Sequence, residues 1–195
     1  MPGVTHASDS RVSMPPGHEL AAACAEVVVD WHRREPPLEW EVAVASFPLS
    51  GGWGGDVRGL ALINCFQWHL EDECRTQYGD VARLGALKRE IDDSNARRVA
   101  CIDAIDERFV RELDGHVGGD GREPVALTTP ANLVDRISIL ELKRYHAAPG
   151  GNAAEAILEQ LDDACHGLDG LVADLASARQ RIRLHRTVKL YGAND

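Results

Sequence analysis

Long apolar runs and an excess of basic residues are both missing from this chain of 195 residues. No apolar run approaches the roughly 20 residues of a membrane-spanning helix, and residues 1–16 have no apolar core of the kind found in signal peptides. Aspartate and glutamate (31) outnumber lysine and arginine (21), which gives a net charge of −10. Nucleic acids and membrane surfaces bind clustered basic residues. We therefore expect a cytoplasmic protein with neither a nucleic-acid nor a membrane partner.

Motifs for common cofactors and for covalent catalysis are also missing. The five cysteines are odd in number and none stands in Cys-x-x-Cys spacing, so we interpret them as reduced thiols. The glycine-rich stretch at 51–55 is no phosphate loop, because Lys-Ser or Lys-Thr does not follow it. The sequence gives no evidence for haem, flavin or NAD, and no serine or cysteine stands in a recognisable nucleophile motif.

Helical periodicity, in contrast, is strong and repeated. It predicts an all-α fold, a bundle of four long helices plus an N-terminal helix. The predicted helices are 17–33, 57–79, 83–113, 129–148 and 153–185. Residues 1–16 are expected to form a disordered leader and residues 17–195 a single domain, with long loops at 34–56 and 114–129. The stretch 41–47 resembles a short strand but has nothing obvious to pair with.

The last predicted helix carries an apolar seam. Its apolar residues recur in alternating steps of four and three, as in a heptad repeat: Ile157, Leu161, Ala164, Leu168, Leu171, Leu175, Ala178 and Ile182. Such a seam suits a partner helix or a second copy of the chain. A homodimer through residues 153–185 is therefore one hypothesis.

The stretch NCFQWHLEDECR, residues 64–75, places polar side chains in the middle of an apolar helix face. At about 100° per residue, the arc of apolar residues also contains Asn64, Gln67 and Glu71, with Arg75 beside it and Trp68 at its flank. His69 and Asp72 point to an adjoining face. Because a buried polar group without a partner costs about 1–3 kcal/mol, the stripe requires polar partners elsewhere in the bundle.

The helix 83–113 offers such partners. Asn95 and Arg98 interrupt its apolar stripe, and Asp106 lies at the edge of that stripe. If the two helices pack antiparallel, the two sets of polar residues meet. The contact that we predict is Glu71 with Arg98.

The helix 129–148 is apolar nearly all round, which predicts a central position. Asp135 and His146 share one side of it. Arg136 and Lys143 share another, and two such cations suit an anionic group. The pattern of the three helices predicts a buried polar network. A purely structural role for this network and a role as a ligand site are about equally supported.

A metal site has less support. His69 and Asp72 stand three apart on one helix, but the Glu-x-x-His motif of di-metal bundles is absent, so no transition-metal site is predicted. The histidines at 6, 18, 32, 116, 166 and 185 are interpreted as surface or linker residues. A Mg²⁺ site using Glu71, Asp72 and Asp106 stays a hypothesis, because Mg²⁺ requires few protein oxygens.

Several of these motifs together resemble a known family. The stretches QWHLEDECR (67–75), IDDSNARR (91–98), CIDAID (101–106), PANLVDRISILELKRYH (130–146) and RTVKLYG (186–192) are similar to the bacterial domain of unknown function 4254. The resemblance covers about residues 60–192. It implies an all-helical cytoplasmic protein, sometimes encoded beside glycan or secondary-metabolite genes, with no established activity. The motif positions are Gln67, Trp68, Glu71, Asp72, Arg75, Asn95, Arg98, Asp106, Asp135, Arg136 and Lys143.

The first functional hypothesis is an enzyme with a small anionic or zwitterionic ligand bound between helices. Its catalytic candidates are Glu71, Asp72 and His69, with Glu71 as general acid or base. Its substrate-binding candidates are Asn64, Gln67, Trp68, Arg75, Asn95, Arg98, Asp106, Asp135, Arg136 and Lys143. One alternative is a Mg²⁺-dependent nucleotide or phosphate-ester hydrolase, although Cys74 stands where related all-α enzymes carry a second glutamate. The other is a non-catalytic, dimeric binding or scaffold protein.

Overall fold

The computed structural model describes residues 12–77, 79–113 and 122–185. Within these ranges the chain forms six α-helices: α1 (Gly17–Arg34), α2 (Trp40–Ala45), α3 (Trp53–Thr76), α4 (Val81–Glu112), α5 (Pro130–His146) and α6 (Asn152–Ala176). The described residues contain no strand, and their one extended pairing is an isolated bridge between Val125 and Arg181. The predicted all-α class is therefore confirmed. No helix of the described part combines the length and apolar character that a membrane crossing requires.

Helix α5 lies at the centre of the bundle, as its all-round apolar surface predicts. It packs against α1, α3, α4 and α6, while α3 also packs against α1 and α4. Phe66 of α3, Phe109 of α4 and Leu142 of α5 are among the largest fully buried side chains. The polar residues of α3, α4 and α5 are thus brought together by the helices that share the core.

The start of α5 shows how a helix end is satisfied inside the bundle. Pro130 has no backbone N–H and occupies the first position. The next two N–H groups find acceptors: Asp106 Oδ1 of α4 accepts from Ala131 N at 3.0 Å, and Thr129 Oγ1 accepts from Asn132 N at 3.3 Å. The donors left over at this helix terminus are therefore paired.

Two segments differ from the sequence-based predictions. The stretch 41–47, which resembles a short strand, lies largely in the helix α2. A helix pairs its backbone groups within itself, whereas a lone strand has no partner for them. Helix α3 begins at Trp53, before the predicted start at residue 57, so the preceding Asp56 is not its cap. Asp56 instead lies in the first turn of α3 and pairs with Arg108 Nε of α4 at 2.6 Å.

The last helix is shorter than predicted, because α6 ends at Ala176. Ala178 adopts the left-handed conformation, with φ of 54°. Asp174 holds this turn, since its carbonyl oxygen accepts from Arg179 N at 2.8 Å and its carboxylate accepts from the Arg179 side chain. Ile182 is nevertheless buried. Beyond the end of the helix the apolar spacing thus predicted the burial of Ile182 correctly, whereas Ala178 is exposed.

The apolar seam of α6 packs inside the chain. Its central residues, Leu161, Ala164, Leu168, Leu171 and Leu175, are buried, and α6 contacts α5 and α1. A homodimer through residues 153–185 stays a prediction, and it would use the outer surface of α6, where Leu158 is 51% exposed.

The region before α1 contacts the bundle in its described part. Val12 is buried, and Ser13 bonds through its backbone N to Glu112 Oε2 at 2.9 Å. Val12 and Ser13 thus both have partners in the bundle, and the disordered leader at 1–16 stays a prediction. Residues 1–11, 114–121 and 186–195, including the RTVKLYG stretch, lie outside the described residues.

Candidate functional site

The predicted polar stripe of α3 meets polar residues of α4 and α5. Asn64 is buried, and its Nδ2 donates to Asp135 Oδ1 at 3.1 Å and to Ser138 Oγ at 2.6 Å. Gln67 Nε2 donates to Asn95 Oδ1 at 3.1 Å. The helical wheel therefore placed both amides on the correct face. Ser138 is a member of this network that the sequence-based reasoning did not select.

Arg98 and Asp135 form the strongest contact of the network. Arg98 Nε donates to Asp135 Oδ1 at 2.8 Å, and Arg98 Nη2 pairs with Asp135 Oδ2. This two-point arrangement raises the pKa of Arg98, chiefly through the hydrogen bond to Asp135, with a smaller contribution from the charge of Glu71.

The predicted Glu71–Arg98 contact is therefore wrong. Asp135 is 8% exposed, whereas Glu71 is exposed. A buried carboxylate has lost its water and needs a cation more than an exposed one does. Glu71 instead receives a hydrogen bond from Gln67 Nε2 at 3.4 Å and lies 3.9 Å from Arg75.

A cavity of about 210 Å³ opens beside this network, and we call it the polar groove. It is lined by Asn64, Gln67, Trp68, Glu71, Arg98, Ile139 and Leu142. Two polar atoms of its lining, Gln67 Oε1 and Trp68 Nε1, are buried without a hydrogen-bond partner among the described residues. Each such unpaired atom costs about 1–3 kcal/mol. A ligand that forms hydrogen bonds with these two atoms would remove that cost.

A second constellation lies on the far side of Trp68, where three histidines from three helices converge. We call His32 of α1, His69 of α3 and His146 of α5 the histidine cluster. Their ligand nitrogens all lie within 4.8 Å of one another, and His32 Nε2 is 3.2 Å from His146 Nε2. His32 Nδ1 donates to the carbonyl of Val28 at 2.7 Å, which leaves its Nε2 as the acceptor nitrogen that faces His146.

Aromatic side chains stack on the histidine cluster, in which His32 and His69 are half-buried and His146 is exposed. Trp31 stacks on His69 with ring centroids 5.4 Å apart, and Trp68 stacks on His146 at 5.1 Å. Burial lowers the pKa of His69 to about 4, helped by the charges of His32 and His146 and opposed by Asp72. Burial likewise lowers the pKa of His146. The His69 ring is therefore neutral at physiological pH, and its Nε2 is buried without a partner among the described residues.

Asp72 lies beside the histidine cluster, whereas Glu71 lies beside the polar groove. Asp72 lines a second cavity, of about 400 Å³, together with Trp31, His32, Glu35, Pro36, Leu38, His69, Glu73 and Thr76. It also pairs with Arg75, one turn further along α3. The adjacent carboxylates Glu71 and Asp72 therefore line different cavities, as the helical wheel predicts.

Three predicted binding residues lie away from the groove. Asp106 caps α5 and lines another cavity, of about 350 Å³, with Asp103, Glu107 and His185 among its neighbours. Burial raises the pKa of Asp106, and the hydrogen bonds from Thr129 and Ala131 N oppose this. Arg136 and Lys143 are exposed on the outer face of α5. The three carboxylates of the hypothetical Mg²⁺ site, Glu71, Asp72 and Asp106, thus line three separate cavities.

His32 and His146 were not selected from the sequence as site residues. His32 lies in the last turn of α1 and His146 is the last residue of α5, so only the packing of these helices on α3 brings them together. No spacing along the chain signals such a cluster. The one sequence feature that could indicate the cluster is that both histidines stand near a helix end with aromatic residues nearby.

The family comparison bears on both constellations. A sequence model of a family described as a protein of unknown function (DUF4254) matches residues 56–184. The chain belongs to this family. The matched region of this DUF4254 protein holds the polar groove, His69 and His146, whereas His32 lies before it. Neither the curated proteins nor the solved structures gave a significant match.

Proposed function

We propose that this DUF4254 chain is an enzyme that binds a small anionic or zwitterionic molecule in the polar groove. The observation that carries the proposal is the pair of buried, unpartnered atoms Gln67 Oε1 and Trp68 Nε1 in the lining of that groove. One is an acceptor and the other a donor. A substrate amide, carboxylate or hydroxyl would pair with them after a small rotation of either side chain.

The charges of the groove favour a zwitterion over a simple anion. Arg98 is already neutralised by Asp135, although its side chain remains 28% exposed. Glu71 is the one exposed carboxylate in the lining, and Arg75 lies 3.9 Å from it. A ligand amine would pair with Glu71, and a ligand carboxylate or phosphate would approach the outer edge of Arg98.

The roles of the lining residues follow from their surroundings. Glu71 is exposed and can exchange a proton with a bound molecule, so we assign it the part of general acid or base. Asp135 fixes the guanidinium plane of Arg98 through two contacts, which orients the cation. Trp68, Ile139 and Leu142 supply an apolar wall. The cavity holds about seven waters at about 30 Å³ each, which corresponds to a ligand the size of an amino acid.

A thermal-shift screen of amino acids, sugar phosphates and nucleotides, with and without Mg²⁺, tests the proposal. We expect at least one compound to raise the melting temperature, and Glu71→Gln and Arg98→Lys to remove that shift while keeping the fold. Arg98→Lys retains the charge but loses the fork geometry. Arg136→Met, on the exposed face of α5, is the matched control and should leave the shift unchanged.

Two results would overturn the proposal. One is the absence of any stabilising compound in the screen. The other is a shift that survives both groove variants. Either result would favour the alternative in which the polar network fixes the packing of α3, α4 and α5 and has no ligand.

A further inference from the structure

We propose that His32, His69 and His146 form a binding site for a divalent transition metal, with Zn²⁺ as the best fit. This inference does not depend on the polar groove, because the three histidines lie on the other side of Trp68. Neutral imidazole nitrogens are among the few side-chain groups that zinc prefers as ligands. Three of them, from three different helices, lie with their ligand nitrogens within 4.8 Å of one another, and the one hydrogen bond between them, His32 Nε2 with His146 Nε2, leaves His69 Nε2 without a partner among the described residues.

The spacing of the nitrogens fits a tetrahedral ion. Two ligands of a tetrahedral zinc, each about 2.0–2.1 Å from the metal, lie about 3.3 Å from each other. His32 Nε2 and His146 Nε2 are 3.2 Å apart. The third histidine, His69, lies with its ligand nitrogen within 4.8 Å of the other two. Closing the site thus requires a movement of one ring and no rearrangement of the helices.

The surroundings of His32 match those of a metal ligand. Its Nδ1 donates to the Val28 carbonyl at 2.7 Å, one turn earlier on α1. Metal-binding histidines commonly donate their second nitrogen to a carbonyl or carboxylate, because this fixes the tautomer and the ring orientation. The hydrogen bond leaves Nε2 without a proton, so that its lone pair accepts from His146 Nε2 at 3.2 Å and would be available to an ion that replaces this proton.

His69 supplies the second independent observation. Its Nε2 is buried and has no hydrogen-bond partner among the described residues. Trp31 stacks on one side of its ring, with an angle of 10° between the planes. A bound ion that this nitrogen ligates would supply the partner that the buried nitrogen lacks.

The geometry points to a site with one free coordination position. Among the described residues three protein ligands converge, and zinc with three protein ligands keeps a fourth position for water or substrate. The cavity of about 400 Å³ adjoins His32 and His69, and Asp72 is in its lining. Asp72, which pairs with Arg75, is thus a carboxylate that could act on a molecule in that position.

A second group of potential ligands, His18, Asp162 and His166, has weaker support. All three are exposed. His18 and His166 lie 3.4 Å and 3.3 Å from the Asp162 carboxylate, so their nitrogens have a partner without a metal. This group therefore serves as the internal control for the proposed site.

The test is zinc binding by the full chain without an affinity tag, measured by titration calorimetry and by metal content after dialysis. Replacement with Co²⁺ gives an independent readout, because tetrahedral Co²⁺ has strong visible absorption. His32→Phe and His146→Phe remove the nitrogens while keeping rings that stack on Tyr145 and Trp68. His166→Phe is the matched control, and circular dichroism verifies the fold of each variant.

We expect one zinc per chain, a tetrahedral Co²⁺ spectrum, and a loss of affinity of more than about 100-fold in each of the two ligand variants, because even partners outside the ligand shell contribute about 10–100-fold. His166→Phe should bind as the wild type does. The site is refuted if the wild-type chain binds no zinc, if binding survives His32→Phe or His146→Phe, or if it is lost in His166→Phe. None of these outcomes affects the small-molecule screen of the polar groove.

Discussion

Arg98 and Asp135 form a two-point ion pair that joins α4 to α5 behind the polar groove. Asp135 is buried and also accepts a hydrogen bond from Asn64 of α3, so this one carboxylate connects three helices. Such a pair fixes the register of the helices, because sliding any one of them leaves a charge without its partner.

Removal of one member of this pair should destabilise the fold. We expect Arg98→Met to lower the free energy of unfolding by about 3 kcal/mol, since it leaves a buried carboxylate unpaired. The further change of Asp135→Leu should restore part of that loss, because the charge then disappears as well. Urea unfolding followed by circular dichroism measures both. Equal or greater destabilisation in the double variant would contradict a mainly electrostatic role for the pair.

Asp106 should make the stability depend on pH. Burial raises its pKa above the ordinary value of 3.8, with a smaller contribution from Asp103, while the bonds from Thr129 and Ala131 N act in the other direction. A carboxyl group with a raised pKa stabilises the fold when protonated, so this contribution is complete below pH 3.8 and is lost as the pH rises through the raised value.

The matched variants for this effect are Asp106→Asn and Asp106→Ala. Asparagine keeps an acceptor for Ala131 N but has no charge, so its stability relative to wild type should increase as the pH rises from acid to neutral. Alanine also loses the acceptor and should be less stable than asparagine by about 1 kcal/mol at every pH. Urea unfolding across this pH range measures the differences. A constant difference between wild type and Asp106→Asn would show that the carboxyl does not titrate within the range.

Two glycines should respond in opposite directions to alanine. A Cβ at Gly17 would lie 2.6 Å from the Cys165 carbonyl oxygen and 2.7 Å from Cys165 Cα. Both are backbone atoms, so α1 and α6 would have to separate, and we expect Gly17→Ala to cost about 1–3 kcal/mol. Gly167, in the middle of α6, has open space around its Cβ position. Gly167→Ala should stabilise the fold by about 1 kcal/mol, measured in the same way.

The sequence predicted the helix faces better than the pairs of residues that meet. The wheel placed Asn64 and Gln67 inward, and both bond to neighbouring helices. It did not identify Asp135 as the partner of Arg98, because periodicity gives the direction of a side chain but not its height along a neighbouring helix. His32 and His146 come together only through the packing of α1 and α5, a long-range contact between residues 114 apart along the chain. Local spacing contains no information about such a contact.

Trp68 lies between the polar groove and the histidine cluster, and one substitution there should separate the two sites. Trp68→Phe retains a ring to stack on His146, so zinc affinity should change by less than about threefold. It removes the buried Nε1 donor, so a groove ligand should bind more weakly. Stability should change little, because the lost contacts of the smaller ring are offset by the loss of an unpaired donor that costs about 1–3 kcal/mol. Trp40→Phe is the control, since Trp40 packs on Phe66 with centroids 5.3 Å apart and does not line the groove. If Trp68→Phe weakens zinc and leaves the groove ligand unaffected, the assignment of Trp68 to the two sites is reversed.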